Sequence, residues 1–300
     1  MSYLIGVDLG GTKMEAALLN KSDYSVVERR RIPTDGHLGY ESITTRLAGL
    51  IQGLAKDYDF SPAHVGIGTP GSLDPILNAM KNCNATAING KPMKDDLEKL
   101  LGFEVRLSND ANCFALAETL LGIVPDVIPN AQVVFGIILG TGVGGGLVVN
   151  GKVINGRQGI GGEWGHNFLD ESGGRCFCGN IGCNERVIAG PALMRYYASL
   201  TGKEKPLKDI VDEWRAGTSD AATQTMERLF FFFGKAISQI INVIDPDAIV
   251  IGGGVGNIDE LYVRGPIEAR KYVINNGRLD TLFLKPKLGD SAGVFGAAML

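Results

Sequence analysis

The sequence predicts an α/β fold made of two similar halves. Three observations point there. Short apolar or β-branched runs alternate with stretches of helical spacing. A strand, Gly/Thr turn, strand unit occurs twice. Glycine reaches 42 of 300 residues, well above the usual share of ~7%. The glycines have no fixed period, which excludes collagen, and they gather in loops, where backbone can approach a ligand closely. A length of 300 residues suits one large domain or two ordinary ones. With 45% hydrophobic and 21% charged residues, the chain can bury a substantial core.

Taken in order, 3–8, 14–19 and 24–32 read as strands split by turns. Ile43, Leu47, Leu50, Ile51 and Leu54 recur at helical spacing, which predicts a helix over Tyr40–Lys56. Val65–Gly68 is a strand leading into a Thr-Pro-Gly-Ser turn, Lys94–Leu101 a helix, Val105–Leu107 a strand and Asp110–Leu121 a helix. The second half repeats the scheme. Val133–Leu139 and Gly146–Val149 are strands, 185–200 and 218–243 helical, Ala248–Ile251 a strand, and the last nine residues suggest a helix. The repeat pairs Gly6–Thr12 with Gly136–Gly142, each followed by a second strand. Two such hairpins could cradle a polyphosphate through backbone N–H groups, although two ordinary hairpins would give the same pattern. Phe230–Phe233 is expected as a helix stretch buried on both sides, and Cys83 and Cys113 as ordinary buried thiols.

Composition excludes several function classes. Lys plus Arg total 29 against 33 for Asp plus Glu, a net charge of −4, so no nucleic-acid partner is expected. The opening run lacks a basic leader and holds Asp8. The uncharged stretch Val133–Val149 is broken by glycines, so neither an export signal nor a membrane span is expected, and the location should be cytoplasmic. The glycine loops do not fit the Walker pattern. Gly140-x-Gly142-x-Gly144-Gly145 leads into a strand rather than the helix a dinucleotide fingerprint requires.

Four constellations carry chemistry. Asp8, Gly10, Gly11, Thr12 and Lys13 offer an acid at a strand end, two glycines and a hydroxyl, which suits a phosphate turn with nearby magnesium. Asn109 and Asp110 sit at a strand-to-helix junction. The helix terminus favours an ionised Asp110 able to accept an alcohol's proton, and capping alone would also explain the pair. His166, Cys176, Cys178 and Cys183 offer four ligands for a closed tetrahedral structural zinc site, which would pin the loop bearing Glu163 and Glu185; three reduced thiols in a glycine-rich loop, with the two acids as solvated surface charge, are the alternative. Finally, the apolar strand before Gly252, Gly253 and Gly254 could let a base or ribose lie on bare backbone, and a tight strand-to-helix turn would explain the glycines equally well.

These motifs together resemble the ROK family of repressors, open-reading-frame proteins and sugar kinases over essentially the whole chain. The match runs through DLGGTK at 8–13, GTPGS at 68–72, NDAN at 109–112, LGTGVGGG at 139–146, GGEWGH at 161–166 and CFCGNIGCNE at 176–185. The resemblance implies an actin-like ATPase (ribonuclease H-like) fold with two α/β domains around a cleft. The N-terminal domain is expected at 1–120 plus 290–300, and the C-terminal domain at 121–289 with a zinc loop at 161–185. It implies ATP-dependent phosphorylation of a hexose hydroxyl, with magnesium accompanying ATP and zinc as structural metal. Asp110 matches the family's base. Asp8, Gly10, Gly11, Thr12 and Lys13 match the first phosphate turn, Thr141 and Gly142 the second, and Gly253 and Gly254 the adenosine motif. Ser72, Asn84, Asn109, Asp110, Glu163, His166 and Glu185 match sugar contacts. His166, Cys176, Cys178 and Cys183 match zinc ligands. A homodimer is implied as well.

Lys81–Gly90 and EWGHN resemble the fructokinase/mannokinase branch most, with glucokinase beside it. NDANCFALAE and LGTGVGGGLVVNG resemble the N-acetylglucosamine and N-acetylmannosamine kinases, which stand as the alternative. A non-catalytic sugar-sensing regulator is the rival of a different class. Regulators of the family carry a leading helix-turn-helix, for which the early position of Asp8 is expected to leave no room.

Overall fold

The computed structural model describes residues 3–300. The chain divides into two compact units. The first comprises Met1–Gly122 (described from Tyr3), Gly146–Gly161 and Leu288–Leu300, and the second Ile123–Gly145 and Gly162–Lys287. The segment 146–161, expected with the second domain, thus groups with the first. Bare backbone explains this. A Cβ at Gly146 would stand 2.5 Å from the Ala111 carbonyl oxygen, and one at Gly159 would overlap that of Leu73.

In the first unit, β1 (Tyr3–Leu9), β2 (Lys13–Asn20) and β3 (Val26–Pro33) form an antiparallel meander. Helix α1 (Tyr40–Asp57) follows, then β4 (His64–Thr69) and a small hairpin of β5 (Ser72–Asp74) and β6 (Ala79–Lys81). Next come α2 (Met93–Leu101), β7 (Glu104–Asn109) and α3 (Asp110–Leu120). The sheet order is β3-β2-β1-β4-β7, with β1, β4 and β7 parallel. The apolar face of α1 (Ile43, Leu47, Ile51, Leu54) joins Val7, Met14 and Ile67 of the sheet in one core.

The second unit opens with α4 (Ile123–Val127) and β8 (Val133–Leu139). Strand β9 (Val143–Val149) begins there and runs on into the first unit, followed by β10 (Lys152–Val153). Then come α5 (Asn184–Ile188), α6 (Gly190–Thr201), α7 (Leu207–Ala216), α8 (Asp220–Ile244), β11 (Ala248–Gly252), α9 (Leu261–Ala269) and β12 (Leu282–Leu284). Strands β8, β11 and β12 are parallel.

The helix expected over 185–200 is two helices. Ala189 is extended (ψ 158°) and Pro191 lies in the first turn of α6, because proline supplies no N–H to carry the α5 ladder onward. The Phe230–Phe233 stretch is not buried throughout. Phe230, Phe232 and Phe233 are buried while Phe231 is 42% exposed, since a helix cannot turn four successive side chains inward.

The chain returns to the first unit through α10 (Ala292–Ala298), which lies on β1, β4 and α3. The approach is backbone to backbone. A Cβ at Gly6 would stand 2.6 Å from the Ala298 nitrogen, and one at Gly66 would overlap the Ala297 carbonyl oxygen. Gly66→Ala should therefore destabilise by about 3 kcal/mol through overpacking. Gly49→Ala, on a face of α1 with no atom within 4 Å, should stabilise by ~0.5–1 kcal/mol. Urea-unfolding midpoints measured in parallel check both.

Candidate active site and metal cluster

Three parallel strands of the first unit end side by side. Register pairs Asp8 with Gly68, and Thr69 with Asn109, so Asp8 and Asn109 stand at the carboxyl ends of β1 and β7 with β4 between them. Ligands of open parallel sheets bind at such ends. Asn109 caps α3: its side chain accepts the Ala111 N–H at 2.9 Å, and Asp110 Oδ1 accepts the same N–H at 2.7 Å. The capping role foreseen for this pair is thus real, yet Asp110 remains exposed at the helix start, beside the β1 and β4 ends. Cys113, fully buried one turn on, has its thiol pushed well up by burial and then by the nearby charges of Asp110 and Asp8.

The first turn is closed by Gly10 N–H donating to Lys13 O at 2.9 Å and is propped by Thr34, whose hydroxyl donates to Gly10 O at 2.7 Å. Gly11, Thr12 and Lys13 are exposed. A Cβ on Gly11 would meet nothing within 4 Å, so no protein contact calls for glycine there, and the backbone of this turn lies bare. Gly11, Thr12 and Asn84 line one cavity of about 520 Å³, with His37, Ala85 and Ala87. Ser72 does not join it and is buried at the start of β5.

Asp8 is held above the usual carboxylate range, chiefly by burial and then by Glu15, with Lys13 partly offsetting both. Glu15 lies opposite Asp8 across β1 and β2. It is buried and clamped by Arg29 (3.2 Å) and Arg31 (2.6 Å). The sequence pattern alone did not reveal this clamp. Its signal was an acid inside the apolar MEAALL strand followed by three arginines on the next one.

In the second unit, register pairs Gly252 with Ile138, which sets the turns after β8 and β11 side by side. A Cβ at Gly140 would stand 3.6 Å from the Gly254 nitrogen. Gly253 adopts φ 85° over the Leu139 backbone and Gly254 faces open space. Thr141 is exposed at the tip of the first of these turns. Glu185 reaches the same turn, with Oε2 accepting the Val143 N–H at 3.1 Å and leaving no room for a Cβ on Gly142. Glu163 is raised above its ordinary value by burial; His166 counters this and Glu185 adds to it. These three candidate sugar contacts thus form one polar group.

His166, Cys176, Cys178 and Cys183 present ligand atoms all within 4.8 Å of one another. Cys176 Sγ lies 3.6 Å from His166 Nδ1, and Cys178 Sγ 3.5 Å from Cys183 Sγ. A tetrahedral zinc ion with Zn–S of ~2.3 Å sets its ligand atoms about 3.5–3.8 Å apart, so the donor set fits. Burial and the neighbouring thiols push Cys183 up to about 12, a cost a divalent cation reverses. Nδ1 faces the cluster, which leaves Nε2 of His166 to face a second group.

A model of the ROK family matches residues 4–300. The chain belongs to the ROK family. It is 35% identical to the N-acetyl-D-glucosamine kinase of Vibrio cholerae over 98% of both chains. It is 34% identical to that of Pectobacterium atrosepticum over 98% of this chain and 97% of that one. Among solved structures, the ROK hexokinase of Thermus thermophilus superposes with a TM-score of 0.87 at 30% identity, covering 99% of this chain and 97% of that one. A Streptomyces griseus ROK glucokinase in complex with glucose and AMPPNP gives 0.77 at 28% identity, covering 99% and 98%. The fold is therefore the actin-like ATPase fold of ROK kinases.

Two outcomes follow. Removing the metal with a chelator, or replacing Cys183 by Ser, should lower Tm by several degrees, and metal analysis of untreated protein should find about one zinc per chain. Because the folded-state pKa of Asp8 is raised, its ionisation costs stability, and that cost grows as pH rises through the raised value. Asp8→Asn should therefore stabilise at pH 7 by on the order of 1 kcal/mol. The gain should fade in acid, where Asp8 is already neutral; thermal melts across pH check the sign.

Proposed function

We propose that this protein is an ATP-dependent sugar kinase acting on the 6-hydroxyl of N-acetylglucosamine. The observation that carries the reaction class is the placement of Asp110. Its carboxyl group is exposed at the start of α3, beside the ends of parallel strands whose first turn, Gly10–Lys13, presents bare backbone. The expectation from resemblance put fructokinase/mannokinase or glucokinase first. Whole-length likeness to N-acetylglucosamine kinases at 33–35% identity favours the alternative instead.

In this reading the Gly11–Thr12 and Thr141–Gly142 turns take the phosphates of ATP and the Gly253–Gly254 turn its adenosine. Asp8 would face the magnesium ion that accompanies ATP, which would supply charge neutralisation at the phosphates. Asn84, Asn109, Glu163, His166 and Glu185 hold the sugar hydroxyls; Ser72, matched to the same role by resemblance, is buried at the start of β5. Asp110 accepts the hydroxyl proton as the sugar oxygen bonds to the γ-phosphorus and ADP departs. His166, Cys176, Cys178 and Cys183 would hold a zinc ion that ties down the loop between Glu163 and Glu185, so that these carboxyl groups would be ordered before the sugar arrives.

Coupled ADP release over N-acetylglucosamine, N-acetylmannosamine, glucose, mannose and fructose tests the reading. The highest kcat/KM should fall on N-acetylglucosamine. Asp110→Asn should fold, bind sugar and lose about 10³-fold or more in kcat, the scale of general-base removal. Near-normal turnover in that variant would overturn the assignment.

A further inference from the structure

Helix α3 carries Asp110 at its first residue and Glu118 in its last turns. Glu118 is fully buried, with 0% of its surface exposed. Its Oε1 accepts the Leu288 N–H at 2.8 Å, and its Oε2 lies where a Cβ on Gly122 would have to stand. These two neighbours are the points at which the chain changes unit. It leaves the first at Gly122 and re-enters it at Leu288. One carboxyl group therefore touches the backbone at both crossings from the helix that begins at Asp110. The returning chain then runs into α10, which lies along α3 so closely that Gly296 meets the Cys113 backbone.

Burying a carboxyl group is costly unless its oxygens are bonded, and a leucine of similar volume fills such a space without that cost. For packing alone the acid is a poor choice. What it adds is a directed hydrogen bond to the returning backbone at Leu288 from a side chain that also lies against Gly122.

Resting on the reading of Asp110 as base, we infer that Glu118 is a positioning residue. It holds Leu288 and packs on Gly122 at the far end of the Asp110 helix, so that the place of Asp110 within the first unit is set together with these two segments. Turnover, not only stability, then depends on it. The device is local to the first unit and touches neither sugar nor nucleotide contacts named above.

The test uses the full-length protein with Glu118→Gln, which keeps one acceptor oxygen, and Glu118→Leu, which keeps volume alone. Each is scored for kcat with N-acetylglucosamine per folded molecule, for sugar binding without nucleotide, and for Tm. Expected is a kcat loss on the order of tenfold for Glu118→Leu and a smaller one for Glu118→Gln, with sugar affinity held within about threefold. Unchanged kcat per folded molecule alongside a lowered Tm would make Glu118 a packing residue and overturn the inference. If the leucine variant does not fold, the glutamine variant decides by the same criterion. Wild-type turnover that survives Asp110→Asn sinks the reading of the site itself, an outcome separate from either result at Glu118.

Discussion

The first unit depends on one constraint: the closing helix must touch the sheet backbone directly. Gly6 and Gly66 on β1 and β4, and Gly296 on α10, are the positions where a single added carbon would collide with main chain. The close seat of α10 on these strands sets where α3 can lie, since α10 packs against both. It also sets the start of α3, where Asp110 stands. Gly293, at the head of α10, lies beside the Asp8 carboxyl, where a Cβ would be in ordinary contact 3.5 Å from the Asp8 Cγ. Asp8 and Asp110 thus stand on strands and a helix whose places are set by glycine packing, with Asp110 also bonded to the Ala111 N–H.

Electrostatics at Asp8 follows from the same architecture. A carboxyl group pressed against a helix and a sheet loses solvent, and the acid opposite it, Glu15, adds like charge. Arg29 and Arg31 hold Glu15, and Arg29 also donates to Ser291 beside α10. The result is a carboxyl group whose ionisation is disfavoured by its surroundings. In the second unit the turns after β8 and β11 present bare backbone, Glu185 bonds the Val143 N–H of one of them, and His166 and three cysteines gather within the segment between Glu163 and Glu185.

Much of this was legible in the residues. Apolar alternation placed β1, β2 and β8, and i, i+3, i+4 spacing placed α1, because those patterns are local and the sheet or core reads them directly. The His/Cys set was legible because metal geometry demands a fixed ligand count. The grouping of 146–161 with the first unit was not, since it rests on Gly146 and Gly159 meeting distant backbone. Nor was the break at Ala189, where an apolar run with helical spacing conceals a proline. The β5–β6 hairpin, α7, α9 and β12 carry short or mixed patterns that tertiary packing, not local preference, decides. The Glu15 clamp was spelled in charges but could be understood only once β2 and β3 were paired. The choice among sugars was the least legible, because it turns on contacts worth ~1–3 kcal/mol.

The first unit is assembled from three stretches of chain, the last being Leu288–Leu300. During synthesis on the ribosome, its sheet emerges early, yet the helix that covers β1 and β4 is made after the whole of the second unit. Until then those glycine-lined strands present open backbone and apolar surface. The second unit, by contrast, is complete once Lys287 has emerged. Despite its later place in the sequence, it is the part able to reach its final form first, and the unit bearing Asp110 must wait to be finished.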